Sequence, residues 1–135
     1  MNYQEYVRRT GQISQLMATN KLQETVDTLY QFILSDISDI DKAAMCINLA
    51  TVYDRLGKTE EALAWYDKGI AYEQMYCRYD VSEKKAQYLS QLGKNNEAVL
   101  IYEGLIKEHF VSESDKERMR KIIQTYLSKA TGSWQ

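Results

Sequence analysis

A fourteen-residue pattern occurs three times in this chain without a gap, and nothing else in the sequence restricts the fold as strongly. From Gly57 it reads Gly57-Lys58, Glu61-Ala62-Leu63, Tyr66 and Ile70. From Gly93 the same offsets give Gly93-Lys94, Glu97-Ala98-Val99, Tyr102 and Ile106. From Asn20 they give Asn20-Lys21, Glu24-Thr25-Val26, Leu29 and Ile33. Successive copies start 37 and 36 residues apart. Self-similarity at such a period marks stacked units, none of which can bury its apolar side alone.

Each column has a physical reason. Gly or Asn accepts the left-handed conformation that ends a helix and turns the chain back. The Glu falls in the first turn of the following helix, where the dipole favours an anion. Ala62 and Ala98 are small enough for two helices to approach closely. The apolar residues at steps of three and four form one buried stripe. Ahead of Gly57 stand Leu49, Ala50, Tyr53 and Leu56; ahead of Gly93, Ala86, Leu89 and Leu92; ahead of Asn20, Ile13 and Leu16. The stretch Ala43 to Ile70 therefore reads as two helices folded back on each other at Leu56-Gly57-Lys58.

Leu49-Ala50-x2-Tyr53, then Gly57, then Ala62-x3-Tyr66-x2-Gly69 resembles the tetratricopeptide repeat, whose pattern runs W-x2-L-G-x2-Y…A-x3-F…P. The unit around Gly93 has Leu89 for the Tyr, and the unit around Asn20 has Thr25 for the Ala. Cys46 replaces the Trp, the closing Pro is absent, and the steps exceed the usual repeat length. The resemblance implies an all-α protein: a right-handed α-solenoid of three tetratricopeptide-like helix pairs with a seventh capping helix. The units are expected at about 3–36, 40–73 and 79–109, and the cap at about 114–129, in one domain spanning 1–135.

Bulk composition agrees. The chain has 135 residues, no proline and six glycines, which suits helices and argues against a β fold. Expected helices run about 3–19, 22–34, 41–56, 59–72, 81–92 and 96–108, with Ser38 or Asp39 able to start the third. On the first, Tyr6, Ile13, Leu16 and Met17 form the apolar side, with Gly11 as a weak point. On the second, the stripe is Val26, Leu29, Tyr30 and Ile33. Residues 73–79 could extend the fourth helix or form a loop. Ser114-x-x-Glu117 fits a capping box for the seventh helix. There Met119, Ile122, Ile123, Tyr126 and Leu127 repeat at helical spacing, with Lys116, Glu117, Arg118, Arg120 and Lys121 on the other face. Beyond Gly132 fraying is expected, unless Trp134 finds a pocket.

Little points to catalysis. His109 is the one histidine, and the end of a helix is a favourable place for it. Cys46 and Cys77 lack the close spacing of a zinc site; Cys46 is expected buried and Cys77 exposed. Gly57-Lys58-Thr59 lacks the glycine a phosphate loop needs five residues earlier, where Val52 stands, and no strand precedes it. No cofactor and no metal are expected. The net charge of −2 gives no reason to expect nucleic acid or an anionic membrane as partner. No apolar run serves as a signal peptide or spans a bilayer, so a cytoplasmic protein is expected.

The resemblance implies a concave face, lined by the first helix of each pair, that receives a peptide or helix of another protein. Helical spacing sets its rows: Thr10, Ile47 and Glu83; Ser14, Thr51 and Gln87; Met17, Asp54 and Ser90; Ala18, Arg55 and Gln91. Asn48 and Lys84 lie beside them. Some members of the family clamp a terminal carboxylate with Lys, Arg and Asn. Asn48 and Lys84 stand at two such places, but Thr10, Asp80 and Ser14 occupy others, so a clamp is not expected. An extended segment held by side-chain amides, with Ile47 and Met17 as apolar anchors, fits better. The competing expectations are self-assembly into a homodimer through Trp65 and Ile101 or the last helix, and an enzyme resting on His109 and Cys77.

Overall fold

The computed structural model describes residues 1–132; Trp134 lies outside the described residues. Among them the regular elements are seven α-helices: α1 (Tyr3–Ala18), α2 (Leu22–Ile33), α3 (Asp39–Arg55), α4 (Thr59–Gln74), α5 (Asp80–Gln91), α6 (Asn95–Ile106) and α7 (Glu113–Gly132). Within each compact unit the helices pack on their chain neighbours: α1 on α2, α2 on α3 and α3 on α4 in one, α5 on α6 and α6 on α7 in the other. The first unit is Met1–Met75 and the second begins at Tyr76.

The repeated pattern is a repeated chain reversal. Asn20, Gly57 and Gly93 have φ of +58°, +76° and +81°. At each, the left-handed residue donates its N–H to the carbonyl three back: Asn20 to Met17 at 3.1 Å, Gly57 to Asp54 at 2.9 Å, Gly93 to Ser90 at 3.0 Å. The following lysine donates to the carbonyl five back: Lys21 to Leu16 at 3.0 Å, Lys58 to Tyr53 at 2.9 Å, Lys94 to Leu89 at 2.8 Å. This is the Schellman arrangement, which satisfies carbonyls that a helix end would otherwise leave open. The carbonyl of the same lysine accepts the first bond of the next helix, from Thr25, Ala62 or Ala98. One lysine thus closes one helix and opens the next, with no side-chain cap.

In the first unit the buried cluster runs through Ile13, Val26, Leu29, Phe32, Ile33, Met45, Cys46, Leu49 and Val52, with Tyr6, Met17, Tyr53, Trp65 and Tyr72 packed against it. Cys46 is fully buried where the repeat pattern has Trp. Thr25 departs from the alanine column yet is also fully buried, because its Oγ1 donates to the Lys21 carbonyl at 2.7 Å. A buried hydroxyl is tolerated only when bonded in this way. In the second unit Val81, Ala86, Tyr88, Leu89, Ala98, Val99, Tyr102, Val111 and Met119 are buried.

Several expectations are corrected. Tyr30 is exposed, and Phe32 takes the core position instead. The α2 stripe faces both α1 and α3, so its buried arc is wider than a one-sided pattern allows. The third helix starts at Asp39 and not at about 41, with Ser38, one of the two residues expected to start it, as its cap: the Ser38 Oγ accepts from the Asp41 N–H at 3.1 Å. The fourth helix continues to Gln74, and residues 75–79 form the connection. The seventh helix is capped by Ser112, whose Oγ accepts from the Asp115 N–H at 3.1 Å, so Ser114 is already helical. Leu127, placed in the apolar stripe, is exposed.

An added Cβ at Gly57, Gly93 or Gly11 would meet no atom within 4 Å, so backbone conformation alone decides the effect of each alanine substitution. Gly57→Ala and Gly93→Ala should each destabilise by about 1–2 kcal/mol through the left-handed φ. Gly11→Ala, in the body of α1, should stabilise by about 0.5–1 kcal/mol. Urea denaturation of the three variants checks the opposite signs.

Candidate functional site

In the first unit the candidate face belongs to α1 and α3. The hydroxyl of Tyr6, in the first turns of α1, donates to the Asp41 carboxylate of α3 at 3.0 Å and ties the starts of the two helices together. Burial, and then Asp41, raises the Tyr6 pKa. On α3, Ile47, Asn48 and Thr51 are half-buried while Asp54 and Arg55 are exposed. Thr51 donates to the Ile47 carbonyl at 3.0 Å and also pairs with the Tyr66 hydroxyl, whose pKa is raised chiefly by burial. The Asn48 amide rests on the Met45 sulfur at 3.8 Å, a weak contact. On α1, Ser14 and Ala18 are exposed, Thr10 bonds back to the Tyr6 carbonyl at 3.0 Å, and Met17 packs against the core cluster. Met17 is thus in part a wall of the core.

In the second unit Lys84, Gln87 and Gln91 are exposed on α5. Ser90 is turned to the helix end, where its Oγ donates to Asn95 at 2.7 Å. Glu83 is not a free acceptor. Arg118 of α7 holds both its oxygens, at 2.7 and 3.0 Å, and Tyr102 donates to it at 3.3 Å. Arg118 also reaches Asp115 at 3.4 Å, and Tyr79 donates to Asp115. The hydrogen bond from Tyr79 holds the Asp115 carboxyl below its ordinary value. The same bond, helped by burial, pushes Tyr79 up to about 12. Burial and then Glu83 raise Tyr102.

This network brings in α7, which the sequence presented only as a cover with a solvated outer face. Ser114, Arg118, Ile122 and Thr125 line a depression of about 550 Å³ beside that helix. Their spacing of three and four is legible in the sequence. The pairing of Arg118 with Glu83, 35 residues away, is not.

The other expectations sort as follows. Trp65 is met edge-on by Tyr30, with ring centres 6.1 Å apart, and Lys68 lies 4.3 Å from its ring centre. Ile101 is half-buried. Tyr72 packs against the core and Tyr79 beside Phe110, while Tyr76 is exposed. His109 is exposed, two residues past the C-cap of α6, with its ring 5.9 Å from that of Phe110. Cys46 is buried and Cys77 exposed. Burial pushes the Cys46 thiol up to about 11. Among the described residues no three His, Cys, Asp or Glu side chains converge as a metal site would need.

The sequence profile of the tetratricopeptide repeat matches residues 43–74, the body of α3, the turn at Gly57 and all of α4. That one helix pair, residues 43–74, is similar to a tetratricopeptide repeat, and the helices on either side of it pack in adjacent pairs within their units, consistent with a helical repeat of that type. No curated protein and no solved structure matches the chain. The matched residues include Ile47, Asn48, Thr51, Asp54 and Arg55, five of the candidate residues. No helix among the described residues is long and apolar enough to cross a membrane.

The Tyr79–Asp115 bond sets two pH limits. A tyrosine whose folded pKa is raised adds stability that is complete below its ordinary value of 10.0 and is lost as pH climbs toward about 12. A carboxyl whose folded pKa is lowered adds stability that is present above its ordinary 3.8 and is lost as pH falls below it. Tyr79→Phe should therefore unfold at lower urea than wild type at neutral pH, and the gap should shrink between pH 10 and 12. A second check is chemical. A thiol reagent at mildly alkaline pH should find one reactive cysteine in the native protein and two in denaturant, and none in native Cys77→Ser.

Proposed function

We propose that this protein is an interaction module that receives an extended peptide segment of a partner protein on the exposed faces of its first-of-pair helices. The observation that carries this is the composition of α3 within the matched repeat. Its inward positions, Cys46, Leu49, Ala50 and Val52, are fully buried, while the opposite side offers Asn48, Thr51, Asp54 and Arg55. That side mixes an amide, a hydroxyl and one charge of each sign. Such a set suits main-chain amides and polar side chains of an extended segment, with Ile47 and Met17 as apolar contacts. Ser14 on α1, and Lys84, Gln87 and Gln91 on α5, add polar positions of the same kind within their units. Glu83 takes part as a support, because its carboxylate is already bonded to Arg118. The near-balanced charge of the chain supports a protein partner over nucleic acid or an anionic membrane.

A photo-crosslinking residue at Asn48 or Gln87 should capture a partner, and one at exposed Glu60 on α4 should not. Asn48→Ala combined with Arg55→Ala should abolish capture of that partner while leaving helicity and melting temperature unchanged. Equal capture from Glu60 would defeat the proposal.

A further inference from the structure

α7 is the longest helix, at 20 residues, yet among residues 113–130 only Met119 is fully buried. By contrast α2, with 12 residues, buries five. The rest of α7's apolar side, Ile122, Ile123 and Tyr126, is half-covered, and Leu127 is 42% exposed. Tyr126 meets Tyr102 of α6 at 6.1 Å between ring centres. Its strongest polar tie is the two-pronged bridge from Arg118 to Glu83 of α5, backed by Asp115 and Tyr79 at the same end. Arg118 is itself 45% exposed, Glu83 14%, and Arg118 borders a space on each side, one shared with Ser114 and Ile122, the other with Cys77 and Tyr79.

An element with few buried apolar contacts and a solvent-accessible tie opens before the body it packs on. We propose that α7 is a strap held shut by the Arg118–Glu83 bridge, and that it lifts from α5 and α6 without unfolding them. Lifting uncovers the seat of Met119 and the ring of Tyr102, apolar surface that is hidden while the strap is down. Water and salt reach the bridge from its Arg118 side, so its grip weakens as ionic strength rises.

Hydrogen exchange read by mass spectrometry on the full chain tests it. In Arg118→Met the amides of 113–130 should exchange about tenfold faster or more, as expected for loss of a charge-assisted pair. Those of α5 and α6 should stay within about twofold of wild type, since the contacts of these two helices with each other are unchanged. Wild type in about 1 M sodium chloride should show the same selective rise, and Arg118→Met should show no further response to salt. Glu83→Gln should behave as Arg118→Met does. If α7 keeps its wild-type protection in both variants, or if α5, α6 and α7 lose protection in step, the strap does not exist. The salt arm on wild type decides the matter even if a variant unfolds.

Discussion

The structure depends on one local event, a helix forced to stop by a residue in the left-handed conformation. At Asn20, Gly57 and Gly93 two backbone bonds close the finished helix, and the next lysine carbonyl starts the following one. The reversal is so short that the two helices have no choice but to lie side by side. Packing follows from that constraint. A small or internally bonded residue sits five positions after the left-handed one, Thr25, Ala62 or Ala98, and all three are completely buried. A bulkier side chain there would hold the helices apart and open the core behind it.

Departures from the repeat pattern fall where the surroundings absorb them. Cys46 fills the place of a Trp and stays buried, its thiol shifted upward by the loss of water. Thr25 keeps its hydroxyl dry by bonding its own preceding turn. Asn20 stands in for glycine in a backbone region that asparagine tolerates better than most residues. Each change keeps the geometry of the column while altering its chemistry.

The polar residues divide into two kinds that look alike in the sequence. Lys84, Gln87, Gln91 and Arg55 are exposed. Glu83, with the same spacing and the same apparent exposure, is committed to Arg118 and Tyr102. Ser90, beside them, is committed to Asn95. Helical spacing identifies the side of a helix; it does not say which side chains on that side already have a partner. In a binding protein that distinction separates contact residues from the ones that stiffen the platform.

The sequence by itself determined the helix count, the three reversals and most of the inward stripe, because left-handed turns and three-to-four spacing are local properties of the chain. It put the start of α7 within a residue but named Ser114 as the cap where Ser112 is, since either serine can cap and only the folded backbone selects one. It placed Tyr30 inside and overlooked Phe32, because a helix packed on two neighbours hides a wider arc than an amphipathic pattern reveals. Tertiary structure alone decided that α7 is tied to α5 by Arg118 and Glu83. Charges 35 residues apart meet only when the helices between them have been laid down, and no local rule encodes that distance.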